Sequence, residues 1–240
     1  MTRPLNPNDP NVVMLELVAQ RLGIDLCARF AFVGGAVAGL LITDPANPPI
    51  RPTEDVDIVA EVLALSGYHR IEKALRERGF NQDMSADAPI CRWKVEGVTV
   101  DVMPTMETIL GFANRWYPLC VATAEPLELP SGIAIRVIQA PVFIGTKLEA
   151  FCGRGGGDYL FSHDLGDIIS VVDGRDSLIK ECWQMPAELK YYLASQFSEL
   201  FADRRFRDAL PGHLATDAIS QSRLPDLEAK IQQLASLVTR

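Results

Sequence analysis

Residues 53–59 read TEDVDIV, and their alternation decides the fold. Successive side chains of an extended strand point to opposite faces. Val56, Ile58 and Ala60 therefore share one face, while Asp55, Asp57 and Val59 share the other. The pattern predicts a strand over 55–60 with two carboxylates on one side. Residues 98–104, VTVDVMP, place Asp101 on the second strand of a hairpin expected from 90–95 and 98–103 around Glu96 and Gly97. An acid on a neighbouring strand completes a cluster of three. Three close carboxylates repel one another unless divalent cations lie among them. Hard oxygen ligands are what Mg²⁺ selects, together with substrate phosphates.

Upstream, the apolar run Phe30 to Val33 stops at Gly34 and Gly35, and residues 36–42 are helix-compatible. The order strand, glycine turn, helix permits close backbone approach and presents free N–H groups at a positive helix end, where phosphate binds. A dinucleotide-binding turn is the rival reading, because Asp55 follows Gly35 by about 20 residues. The G-G-x-x-x-G spacing lacks that fingerprint, however, and leaves Asp57 and Asp101 without a role. The segment at 145–147 does not form a P-loop, since G-x-x-x-x-G-K-[ST] is absent.

Further out, apolar residues at helical spacing predict a first helix over 12–22, ended by Gly23. A helix is expected over 68–78, a strand over 133–138, and a helix from Pro141 to about residue 152. Beyond it, helices are expected over 163–172, 187–201 and 224–238. The whole is an α+β protein: a mixed sheet flanked by helices over 12–140, then a helical C-terminal lobe over 141–240. The glycines at 155–157 read as a flexible loop, with no strand before them to make a phosphate cradle.

Composition narrows the function. A net charge of −8 argues against a surface coated with phosphate-binding cations. The densest basic cluster, Arg204, Arg205 and Arg207, reads as a solvated helix face. Cys27, Cys91, Cys120, Cys152 and Cys182 are scattered without a C-x-x-C pair, so they read as five reduced core thiols of a cytoplasmic protein. His69, His163 and His213 lack metal-ligand spacing. No apolar run reaches the length of about 20 residues that spans a bilayer, and the N-terminus lacks a signal-peptide core, so no membrane association is expected.

Three segments, FVGGAVAGL at 32–40, TEDVDIV at 53–59 and VTVDVMP at 98–104, together resemble the polymerase-beta-like nucleotidyltransferase superfamily. Two more, GTKLEAF with Lys147 and SHDLGDII with Asp164 and Asp167, are similar to motifs of the bacterial AbiEii-type nucleotidyltransferases, the toxins of abortive-infection toxin-antitoxin systems. The resemblance implies a nucleotidyltransferase fold and a two-metal Mg²⁺ site on Asp55, Asp57 and Asp101. It assigns the nucleotide to Gly34, Gly35, Thr53 and Lys147, with Asp164 and Asp167 joining Lys147 in catalysis. A nucleoside triphosphate is then the substrate and a hydroxyl on RNA, a protein or a small molecule the acceptor. The family favours a tRNA end and an antitoxin protein as partner. The alternative is a catalytically inactive nucleotidyltransferase-fold module that binds or regulates. Plainer roles stand beside the catalytic ones. Asp164 follows Ser162 and complements a helix dipole in a first turn, and Lys147 reads equally as a solvated helix residue.

Overall fold

The computed structural model describes residues 4–62, 64–154 and 157–237. Asp9 caps the first helix, accepting the backbone N–H groups of Asn11 and Val12, and Pro10 fits the first turn where no amide is needed. This helix, α1, runs Pro10–Cys27 rather than stopping at Gly23. Gly23 is a kink (φ 74°), after which one more helical turn buries Leu26 and Cys27. Burial of that turn outweighs the local stop signal.

In chain order there follow β1 (Phe30–Val33), a 3-10 turn (Gly35–Val37), α2 (Ala38–Leu41), β2 (Asp55–Ala60), α3 (Leu65–Glu77), β3 (Asn81–Gln82), β4 (Arg92–Val95) and β5 (Val98–Pro104). Next come α4 (Glu107–Leu110), α5 (Tyr117–Thr123), β6 (Glu125–Glu128), β7 (Ala134–Val137) and α6 (Ala140–Arg154). The chain ends in α7 (His163–Gly174), α8 (Leu178–Gln184), α9 (Ala187–Ala202), α10 (Arg204–Ala209), α11 (Ala218–Gln221) and α12 (Leu224–Ala235). Gly155 and Gly156 of the expected glycine loop lie outside the described residues.

Seven strands form one mixed sheet in the order β3-β4-β5-β2-β1-β7-β6. β2 lies antiparallel to β1 and parallel to β5, and β7 runs parallel to β1. The expected α+β class with a mixed, helix-flanked sheet is what the chain adopts. The hairpin β4–β5 turns at Glu96 (φ 47°) and Gly97 (φ 85°), two consecutive positive φ angles that match the right-handed strand twist. β3 and β6 have no counterpart in the sequence reading. β3 is two residues long, and β6 (EPLE) is mostly exposed and carries no apolar alternation.

The chain divides into two compact units. Residues 4–37 and 51–139 carry the whole sheet, with α1 packed on β1, β2, β5 and β7. Its core includes Phe30, Phe32, Ile58, Trp93, Val100 and Val102. Residues 38–50 and 140–240 form the other unit, whose described regular elements are all helices. There α6 packs on α7, and α9 on α12, around Phe143, Leu165, Ile168, Phe197 and Ile231. Segment 38–50 is tied into this unit: the amides of Thr43 and Asp44 donate to the Gly174 carbonyl, and Arg223 pairs with Asp44.

Of the five thiols expected in the core, four are buried, while Cys152 near the end of α6 is exposed and its thiol donates to Gln196 Oε1 on α9 at 2.9 Å. No described helix is long and apolar enough to cross a membrane.

Candidate metal centre

The parallel pairing of β2 with β5 sets Asp57 directly beside Asp101. Residues opposite each other in a sheet project to the same face, and Asp55, two positions before Asp57, projects there too. One carboxylate oxygen from each of Asp55, Asp57 and Asp101 lies within 4.8 Å of the others. Asp101 is buried, whereas Asp55 and Asp57 are half-buried, so the cluster is reachable from one side. Three hard oxygen donors converging at this spacing fit a divalent cation such as Mg²⁺, which takes few protein carboxylates and leaves positions for phosphate or water. The three acids singled out in the sequence are brought together.

Gly34 shapes the same spot. It follows β1 with φ 72°, and Val33 before it pairs with Asp57. A Cβ at Gly34 would fall inside the Asp57 carboxylate. The missing side chain thus makes room for an acid of the cluster, besides allowing the turn. The single helix expected over 36–42 is instead a 3-10 turn and the four-residue α2, too short to present a strong positive end.

Thr53 supports the site through its amide and its hydroxyl. Its amide donates to Asn11 Oδ1 at 2.9 Å, and its single hydroxyl proton faces two acceptors, the Asp55 carbonyl at 3.1 Å and Asn11 Oδ1 at 3.3 Å. Asn11 is buried in the first turn of α1 and donates its own Nδ2 to the Arg51 carbonyl. Together they hold the approach to β2 and hence the position of Asp55. Asn11 escaped the sequence reading. Its signal is a lone amide at the start of an apolar helix stripe, which in sequence is indistinguishable from an ordinary capping residue.

Arg92 also escaped it. The β4–β5 register sets Arg92 opposite Asp101, and the guanidinium donates from Nε to Oδ1 at 2.9 Å and from Nη2 to Oδ2 at 2.8 Å. Nη2 also lies 3.7 Å from Asp55 Oδ2. The Asp101 hydrogen bonds hold the Arg92 proton above the usual arginine range, against the opposing effect of burial. Here a signal existed: pairing residues outward from the Glu96–Gly97 turn leads to Arg92 opposite Asp101.

The remaining candidates lie in the helical unit. Lys147 on α6 places Nζ 3.1 Å from Asp164 Oδ1 and 2.7 Å from Asp167 Oδ2, both on α7. Arg154 adds a second cation 3.0 Å from Asp164 Oδ2. Lys147 is only 8% exposed, so it is not a solvated helix residue. Burial pushes the Asp164 carboxyl up, but the Arg154 hydrogen bonds and the Lys147 charge outweigh this and hold it below its ordinary value. Ser162 caps α7 through the Leu165 amide, so Asp164 does occupy the first turn. On α10, Arg204 and Arg205 are exposed as expected of a solvated face, whereas Arg207 is half-buried and its guanidinium donates to the Phe201 carbonyl.

Fold and site together define an α+β protein with a cluster of three carboxylates on its sheet that could hold a metal ion. No family model matches the chain, and a comparison with curated proteins found no match. Solved structures that resemble it include JHP933 from Helicobacter pylori, at 11% identity over 95% of this chain and 93% of that one, with a TM-score of 0.45. Another is the "putative nucleotidyltransferase from H. pylori", at 9% identity over 98% of each chain, with a TM-score of 0.47. Likeness this distant leaves the chemistry to the carboxylates themselves.

Proposed function

We propose that the protein is a Mg²⁺-dependent nucleotidyltransferase that moves a nucleotide from a nucleoside triphosphate to a hydroxyl acceptor. The observation that carries this reading is the convergence of Asp55, Asp57 and Asp101 on one face of the sheet. Asp55 and Asp57 would hold the ion that meets the triphosphate, and Asp101 would hold a second and draw the proton from the acceptor hydroxyl. Bound there, Mg²⁺ supplies charge neutralisation for the phosphates. Gly34 and Gly35 offer backbone N–H groups to phosphate oxygens beside the acids, and Asn11 with Thr53 keeps Asp55 aimed at the same point. The finer form of the proposal, a tRNA end as acceptor and a toxin restrained by an antitoxin, is supported by the GTKLEAF and SHDLGDII motifs.

A second reading, a module that binds without transferring, is favoured by one observation: Arg92 already occupies both oxygens of Asp101. Incubation with each labelled nucleoside triphosphate, Mg²⁺, total RNA and cell extract separates the two. Transfer of label to a macromolecule is expected, abolished by chelation and by Asp57→Asn. That variant should melt no lower than the wild type without metal, because removing one carboxylate relieves repulsion as it removes a ligand. Absence of transfer with every nucleotide, in protein that binds the ion, would establish the binding module instead.

A further inference from the structure

The guanidinium of Arg92 lies between Asp101 and Asp55, 2.8 Å from one carboxylate and 3.7 Å from the other. That is the place of a cation bridging the two acids. Arg92, Asp101 and Asp57 form one row across β4, β5 and β2, so sheet register and not side-chain chance brings the charge there. A planar fork with two parallel donors satisfies a carboxylate more completely than a point charge does. It lowers the formal charge of the cluster from −3 to −2, and both Asp101 oxygens are engaged.

We propose that Arg92 is an internal stand-in for a metal ion: it occupies the Asp101 side of the cluster in the metal-free protein and yields Asp101 when a divalent cation loads. The proposal rests on the metal-centre reading above. Two costs oppose loading in the wild type, loss of a charge-assisted bidentate pair and repulsion between the guanidinium and the incoming dication. The benefit lies in the empty state. Three acids without a cation would otherwise repel one another across β2 and β5. Once displaced, the guanidinium is a cation beside the metal site with no carboxylate to hold it, and a substrate phosphate is the anion suited to its fork.

The test is titration of the whole 240-residue chain with Mn²⁺ alone, followed by calorimetry and by the paramagnetic signal of the free ion. Arg92→Gln keeps a polar side chain and removes the charge. It should bind Mn²⁺ about tenfold more tightly than the wild type, a gain that shrinks at high salt because it is electrostatic. The same variant should melt at lower temperature without metal and recover that loss when Mn²⁺ is added. Arg92→Lys, which keeps charge but not the fork, serves if Arg92→Gln does not fold, and should bind with intermediate affinity. Equal or weaker Mn²⁺ binding by the folded variant overturns the stand-in role while leaving the metal centre in place. Failure of the wild type itself to bind Mn²⁺, with Asp57→Asn indistinguishable from it, overturns the metal centre on which the proposal depends.

Discussion

Gly34 meets two demands that a side chain cannot meet together. Its φ of 72° lies in the left-handed region, and the space its side chain would fill is taken by Asp57. Gly34→Ala should therefore cost about 1–2 kcal/mol for the backbone alone, and should also push the Asp57 carboxylate off its position. The expected outcome is a lower denaturation midpoint together with weakened Mn²⁺ binding. A variant that lost stability but kept wild-type affinity would show that the carboxylate re-seats itself. Asp55, Asp57 and Gly34 were legible as single residues because alternation and glycine chemistry act locally. The occupant of the space beside Gly34 was not, since Asp57 arrives there only through the pairing of β1 with β2.

Between α6 and α7 the decisive interaction is a buried ion cluster. Removing Lys147 takes the cation 2.7 Å from buried Asp167 away, while Arg154 still pairs with Asp164. Lys147→Ala should then destabilise by about 3–5 kcal/mol, against about 0.5 kcal/mol or less for an exposed control. Lys73 suits that control, with its side chain 78% exposed. Lys230 does not, because its Nζ donates to the Asp173 carbonyl at 2.7 Å. Paired urea melts decide the matter, and a loss near that of Lys73→Ala would remove the cluster from the framework. The acid limb follows from the same geometry. The folded-state pKa of Asp164 is depressed, so its stabilisation is present above the unfolded value of about 3.9 and is lost as pH falls through the lower folded value. Melting temperatures of wild type and Asp164→Asn should differ most near neutrality and converge below about pH 4. A gap that stayed constant with pH would mean the carboxylate is not held down. At this scale the strong helices and the β4–β5 hairpin were legible from periodicity and turn chemistry. The short exposed β6 carries neither signal.

At the scale of the whole molecule, segment 38–50 separates sequence order from structural membership. It lies between β1 and β2 in the chain, yet its hydrogen-bond partners come from the helical unit. The Arg175 guanidinium donates to the Leu41 carbonyl, and Ile42 and Asn47 lie so close to Gly174 that a Cβ there would sit 2.8 and 2.5 Å from them. A fragment ending at residue 139 loses all of these partners. Limited proteolysis of that fragment should cut within 38–50 well before the same segment is cut in the full chain. Equal resistance would show that the segment holds its conformation unaided.

The sequence by itself determined the strands that carry Asp55, Asp57 and Asp101, the glycine turn before them, and the run of helices after residue 140. Each of these follows from interactions among residues a few positions apart, where periodicity of two or 3.6 and the backbone freedom of glycine are enough. Only the tertiary structure decided that β2 and β5 are parallel neighbours, which turns three acids into one cluster. It also decided that Asn11 and Thr53 steady Asp55 and that Lys147 is buried between two aspartates. The physical reason is the same in each case. These contacts join residues far apart in the chain or across strands, and their formation depends on which elements pack together, a choice made by burial of the whole core and not by any local run of residues.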